Sequence, residues 1–140
     1  DSLLLEITET GVMLDPDQVV DMLDELSNMG LKLSIDDFGT GQSSLAYLKR
    51  LPVHTLKVDK SFVTDRDADE DNASIVLANI DLAHSLGLEV TAEGVETRPV
   101  YEMLWEMGCD CYQGYYVSEP LEMGAISDWL DNGRMARQVN

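Results

Sequence analysis

Apolar residues run along this chain in two rhythms, one of strands and one of helices. Polar residues punctuate the joins between them. Leu3 to Ile7 is a continuous apolar run broken only by Glu6, which predicts a strand buried on both faces of a parallel sheet. Asp15-Pro16-Asp17-Gln18 then reads as a helix start, with an N-cap acid, a proline at the first helical position and a Gln that closes a capping box. Val19, Met22, Leu23, Leu26 and Met29 follow at the spacing of one helix face. Gly30 stands where a left-handed C-cap is wanted, and Leu31 to Ile35 resumes strand character up to Asp36.

The same helix-to-strand grammar returns twice. Over Asn72 to Leu86, the stripe Val76, Ile80, Ala83 and Leu86 predicts a helix that stops at Gly87, and Leu88 to Ala92 then runs into Glu93. Thr97 is placed to cap a helix bearing Val100, Met103, Leu104 and Met107, which Gly108 ends before Cys109 to Tyr112 leads to Gln113. Between these units a short helix over Ser44 to Leu51 ends before Pro52, and Thr55 to Val58 forms a strand. About five strands joined by helices predict a parallel α/β architecture.

The polar residues gather at one end of this scheme. Glu6, Asp36 with Asp37, Lys57 with Asp59, Glu93 and Gln113 all fall at or near the C-terminal end of a strand. That end is the active face of a β/α barrel, and open doubly wound sheets also bind ligands there, so both architectures stay open at this point. Acids converging on one face repel one another and are costly to desolvate unless a cation neutralises them. The set is hard and oxygen-rich, which suits Mg²⁺ or Mn²⁺ better than zinc, and neither His54 nor His84 lies at a strand's C-terminal end. Two such ions bridged by a carboxylate are a common apparatus for phosphodiester hydrolysis. Lys57 adds one fixed positive charge for a water or a phosphate oxygen.

Blander readings apply to other features. Asp-Asp before Phe38-Gly39-Thr40-Gly41 is also turn chemistry, and Lys57 fits an edge strand guarded against aggregation. The methionines read as core filler, the histidines as structural, and the acidic stretch Asp65 to Asp71 as a solvated loop.

Composition narrows the function classes. A chain of 140 residues with 44% hydrophobic content can bury the core of one modest domain. A net charge of -18 argues against polymeric nucleic acid and anionic membranes, because both attract basic surfaces. Cys109 and Cys111 form a C-x-C rather than the C-x-x-C of a redox or zinc site, so buried reduced thiols in a cytosolic protein are expected. No apolar run approaches membrane-spanning length, and Asp1-Ser2-Leu3 has no basic region ahead of a signal core, so the chain reads as soluble and as starting inside a strand.

Five segments then point to a family. Leu5-Glu6-Ile7-Thr8-Glu9, Asp36-Asp37-Phe38-Gly39-Thr40-Gly41, Leu56-Lys57-Val58-Asp59, Ala92-Glu93-Gly94-Val95-Glu96 and Gln113-Gly114-Tyr115-Tyr116 resemble successive motifs of the EAL domain, in order. The EAL domain is the metal-dependent bacterial barrel that hydrolyses cyclic di-GMP. The resemblance implies a partial TIM-type β/α barrel, with residues 1–140 as the C-terminal part of the domain. The strands that bear the Glu-Ala-Leu and Asn motifs are absent from the sequence.

It further implies two ions, Mg²⁺ or Mn²⁺, held by Glu6, Asp36, Asp37, Asp59 and Glu93, with Asp36 bridging. Lys57 would contact the attacking water, Glu93 would bind metal or act as base, and Gln113 and Glu96 would line the substrate. Glu9 would anchor the loop from Asp37 to Gly41, which in this family couples dimerisation to activity. A homodimer in the bacterial cytoplasm is implied, whether free-standing or as the cytosolic domain of a larger or membrane-anchored protein, with the isolated 140-residue chain inactive. Glu119 departs from the family, which often carries a basic residue before Pro120. The competing reading is a degenerate EAL domain that senses cyclic di-GMP or serves as an interaction module.

Overall fold

The computed structural model describes residues 3–12, 16–39, 45–63 and 70–137. Five strands, β1 (Leu4–Thr8), β2 (Lys32–Phe38), β3 (Thr55–Val58), β4 (Glu89–Glu93) and β5 (Cys111–Gln113), form one sheet. All neighbours are parallel, and their order in space is their order in the chain. A doubly wound sheet would reverse its strand order at a switch point. This sheet never does, so its winding is that of a β/α barrel.

The helices are α1 (Glu9–Val12), α2 (Pro16–Asn28), α3 (Leu45–Leu48), α4 (Lys60–Val63), α5 (Glu70–Ser85), α6 (Arg98–Glu106) and α7 (Met123–Arg137). Strand alternation sorts the sheet into two faces. Leu33, Ile35, Leu56, Val58, Val90 and Ala92 join Leu23 of α2, Val76, Ile80 and Ala83 of α5, and Val100 and Leu104 of α6 in one buried cluster. Each buried Leu, Ile or Val contributes about 1.5–3 kcal/mol against leaving it in water. The opposite face carries Glu6, Ser34, Asp36, Thr55, Lys57, Thr91 and Glu93. In a barrel that face is usually filled by branched aliphatics; here it is polar, and Ser34 is fully buried within it.

Several sequence expectations need correction. The strand expected to be buried on both faces, β1, pairs among the described residues with β2 alone, and Leu3 and Leu4 are exposed at this edge. On α2 the stripe narrows to Leu23, with Val19 and Leu26 half-buried, and Met22 and Met29 face solvent because, among the described residues, no element packs over them. Met123 is exposed as well, so among the methionines whose burial is described core filling fits Met103 and Met107, both partly buried. Thr97 occupies the N-cap of α6, with Pro99 in the first turn, but its side chain makes no capping bond. Strand β5 begins two residues later than expected, which leaves Cys109 buried before it and Cys111 exposed on it.

The glycine stops hold. Gly30, Gly87 and Gly108 all have positive φ at helix ends. His54 is structural, its Nδ1 accepting the Leu33 N–H at 3.3 Å, and His84 pairs with Asp110 at 2.9 Å. Three helices were not anticipated, and two of them, α1 and α4, are at four residues each too short for periodicity to show. The third, α7, carries Met123, Ile126, Trp129 and Leu130 at helical spacing, and all four are exposed. The expected N-cap Asp15, the helix start Ser44 and the acidic residues 65–69 lie outside the described residues. Among the described residues no helix is long and apolar enough to cross a membrane.

Candidate functional site

Adjacent residues of a regular strand point to opposite faces, so Asp36 and Asp37 could not share a site on an undistorted β2. The register resolves this. Ile35 pairs with Leu56 and Phe38 with Val58, so three steps of β2 stand against two of β3, and a bulge falls at Asp36 and Asp37. Asp37 has φ 57°, the one positive value at a non-glycine among the described residues. Its N–H donates to Asp36 Oδ1 at 3.0 Å, a local bond that helps Asp adopt this left-handed conformation. The turn ends at Gly39, φ 95°, whose N–H donates to Glu9 Oε2 at 3.1 Å. Glu9, buried at the start of α1, therefore fixes the far side of the bulge.

Three carboxylates converge on one ammonium. Lys57 Nζ lies 2.6 Å from Glu93 Oε1, 2.8 Å from Glu6 Oε1 and 3.4 Å from Asp36 Oδ1. These groups come from β3, β4, β1 and β2, and the Lys57 side chain is only 4% exposed. Burial works to strip the Lys57 charge. Hydrogen bonds to Glu6 and Glu93, with the charges of Glu93 and Asp36, outweigh it and raise the ammonium well above its ordinary range. The reading of Lys57 as an edge-strand guard is therefore wrong, since β3 is the middle strand.

Carboxylate oxygens of Asp36, Asp37 and Glu93 all lie within 4.8 Å of one another, a spacing one cation can span. Asp37 shows the strain of this crowding, its carboxyl raised by burial and by the charges of Asp36 and Asp59. Asp59, just beyond β3, is held low although burial opposes it, because Ser61 hydrogen-bonds to it, its N–H donating to Oδ1 at 2.9 Å. Asp59 thus stays ionised while Asp37 is the acid that resists ionising. Hard oxygen donors, crowded and short of positive charge, fit a hard divalent cation.

The fold brings together Glu6, Asp36, Asp37, Lys57, Asp59 and Glu93, with Glu9 supporting them from α1. Glu6 stands outside the group of three, engaged by Lys57. Gln113 pairs in register with Glu93 and is exposed. A Cβ on Gly114 would collide with the Val95 backbone, so only glycine lets this strand end lie against the loop after β4. Glu96 is exposed on that loop, and among the described residues no hydrogen bond or ion pair joins it to the cluster. Two residues escaped the sequence reading. Ser61 was legible as an Asx-turn partner two residues after Asp59. Asn79 was legible as a polar residue between Val76 and Ala83 on the buried stripe of α5.

A family model for the EAL domain matches residues 1–120. Cyclic di-GMP phosphodiesterase NbdA of Pseudomonas aeruginosa is 48% identical over 126 residues, covering 90% of this chain and 16% of that protein. The solved structure of the Pseudomonas aeruginosa MucR phosphodiesterase in complex with c-di-GMP has a TM-score of 0.85 and 45% identity, covering 89% of this chain and 50% of that one. The EAL domain of Mycobacterium smegmatis DcpA gives a TM-score of 0.85 at 42% identity, covering 94% of this chain and 59% of its own. The chain thus spans about half of the solved chains and less than a fifth of NbdA.

Proposed function

This chain belongs to the EAL domain family, and from that premise we propose that it forms the C-terminal part of a cyclic di-GMP phosphodiesterase domain. The half-length coverage of solved relatives supports this placement, with further strands completing the barrel. The carrying observation is the convergence of acids from separate strands on the buried Lys57, at the strand ends where β/α barrels do their chemistry. The reaction consumes one water per ring opened. Its oxygen ends on phosphorus as one P–O ester bond breaks, and a proton ends on the released ribose oxygen, giving linear pGpG.

Asp36, Asp37 and Glu93, with Glu6 and Asp59, would hold two divalent ions, Mg²⁺ or Mn²⁺, with Asp36 as the ligand they would share. When bound, such ions activate water and stabilise the charge that develops on the phosphoryl oxygens. Lys57 orients the attacking water and offsets transition-state charge, so its effect falls on turnover more than on binding. Glu93, hydrogen-bonded to Lys57, takes the water's proton. Gln113 and Glu96 border the nucleotide, and Glu9 holds the bulge in place. The domain works as a cytosolic homodimer.

The test is hydrolysis of cyclic di-GMP by the complete domain, followed as pGpG by chromatography with Mg²⁺ or Mn²⁺. Asp36→Asn, which removes the bridging charge with almost no change of volume, should abolish product while circular dichroism stays unchanged. Wild-type turnover in that variant, or binding without any cleavage by the wild-type domain, overturns the reading.

A further inference from the structure

Asn79 has no place in the chemistry described so far. It sits on the buried face of α5 among Val76, Ile80 and Ala83, and is only 9% exposed. Its Nδ2 is buried and finds no hydrogen-bond partner among the described residues. Native proteins seldom leave a buried donor unpaired, and a helix face this apolar would accept a leucine without that cost. The atom is aimed at a particular place. A Cβ built on Gly39 would stand 3.2 Å from Asn79 Nδ2, nearer than to any other neighbouring atom, with Phe62 next. Gly39 ends the turn that carries Asp36 and Asp37, and its N–H is already held by Glu9 from the other side.

We propose that Asn79 is a positioning residue for the metal ligands, a reserve donor that engages the turn from Asp37 to Gly39 when those ligands close on their ion. This rests on the metal-site reading above. Asp37 is held at φ 57°, and such conformations persist only where the surroundings over-determine them. Glu9 secures one side of the turn through its N–H, and Asn79 secures the other by donating to it. With both in place, Asp37 is set where its carboxylate meets those of Asp36 and Glu93. Residues that orient metal ligands from behind in this way commonly govern affinity by about 10–100-fold.

The experiment uses the full-length protein and compares wild type, Asn79→Leu, which removes the donor at similar volume, and Asn79→Thr, which keeps a donor. Free Mn²⁺ is followed by electron paramagnetic resonance during titration, alongside thermal melting in EDTA and turnover of cyclic di-GMP. The leucine variant should need about tenfold more Mn²⁺ for half-saturation while melting in EDTA no lower than wild type, and threonine should recover part of the affinity. Equal Mn²⁺ affinity in wild type and Asn79→Leu overturns the proposal, as does an equal loss in both variants, which would mark a packing role. Should the leucine variant fail to fold, Asn79→Ala against Asn79→Ser supplies the same contrast. A wild-type protein that binds Mn²⁺ but does not cleave cyclic di-GMP overturns the phosphodiesterase reading alone, and one that does neither overturns both.

Discussion

Replacing Lys57 by Met removes the ammonium and keeps the length of the side chain, and its consequence depends on whether an ion is available. In EDTA, Glu6, Asp36 and Glu93 lose the charge that lies 2.6–3.4 Å from each of them. At an effective dielectric near 20, each pair is worth about 5–6 kcal/mol before desolvation, most of which desolvation cancels. Breaking a buried ion pair from one side costs about 3–5 kcal/mol. Glu6, with 43% of its side chain exposed, is screened and adds little, so about 3 kcal/mol is expected. For a complete domain, at about 2–4 °C per kcal/mol, the melting temperature should fall by roughly 6–12 °C. Saturating Mn²⁺ should recover most of that loss, because the ion takes over the neutralisation. Circular dichroism melting of wild type and Lys57→Met, each in EDTA and in Mn²⁺, reads this directly. An equal drop in both conditions, or none in EDTA, would refute the view that lysine and ion share the work of neutralising these acids.

Asp37→Asn should stabilise the ion-free domain at neutral pH and weaken its Mn²⁺ affinity. The Asp37 carboxyl is raised in the folded state by burial and by Asp36 and Asp59, so stability falls as pH climbs from the unfolded value near 3.8 through the raised one. Asn removes that penalty and tolerates the same backbone; a pH series of melting curves in EDTA should show the two proteins converging in acid. Of the cysteines, Cys111 should react with iodoacetamide first and Cys109 only on unfolding, since burial pushes the Cys109 thiol up to about 11; mass spectrometry of labelled peptides would expose the reverse order. The isolated 140-residue chain should self-associate in size-exclusion chromatography and hydrolyse nothing, because β1 and β5 are both open edges, and a compact active monomer would contradict this.

Much of this architecture was legible from the sequence because the units repeat. Gly30, Gly87 and Gly108 marked the helix ends, and the acids after each apolar run marked the face on which they meet. Neighbour relations were not legible. Nothing in Met22 or Met29 shows that, among the described residues, no element covers them. The pairing of Asp36 with Asp37 in one site depends on a bulge, and a bulge is a mismatch between two strands that neither strand's sequence reveals alone. The same holds for Lys57, whose central place follows from strand order. Asn79 was visible as an anomaly on an apolar stripe, but its meaning came only from the turn lying opposite it.

The strictly sequential strand order bears on how the chain reaches its fold. Each strand from β2 onward docks on the one made just before it, so every ladder can close as soon as its second strand has been synthesised. Within this set of five strands each finds its first partner in the strand just before or after it, which keeps loop-closure costs modest for a parallel sheet. Assembly can therefore proceed vectorially on the ribosome, at about 5–20 residues per second, each new helix sealing the strand beneath it. Throughout that growth the newest strand is the exposed edge. The polar inner face makes this tolerable, because a half-built sheet shows water serine, threonine and charge on one side rather than a second hydrophobic surface.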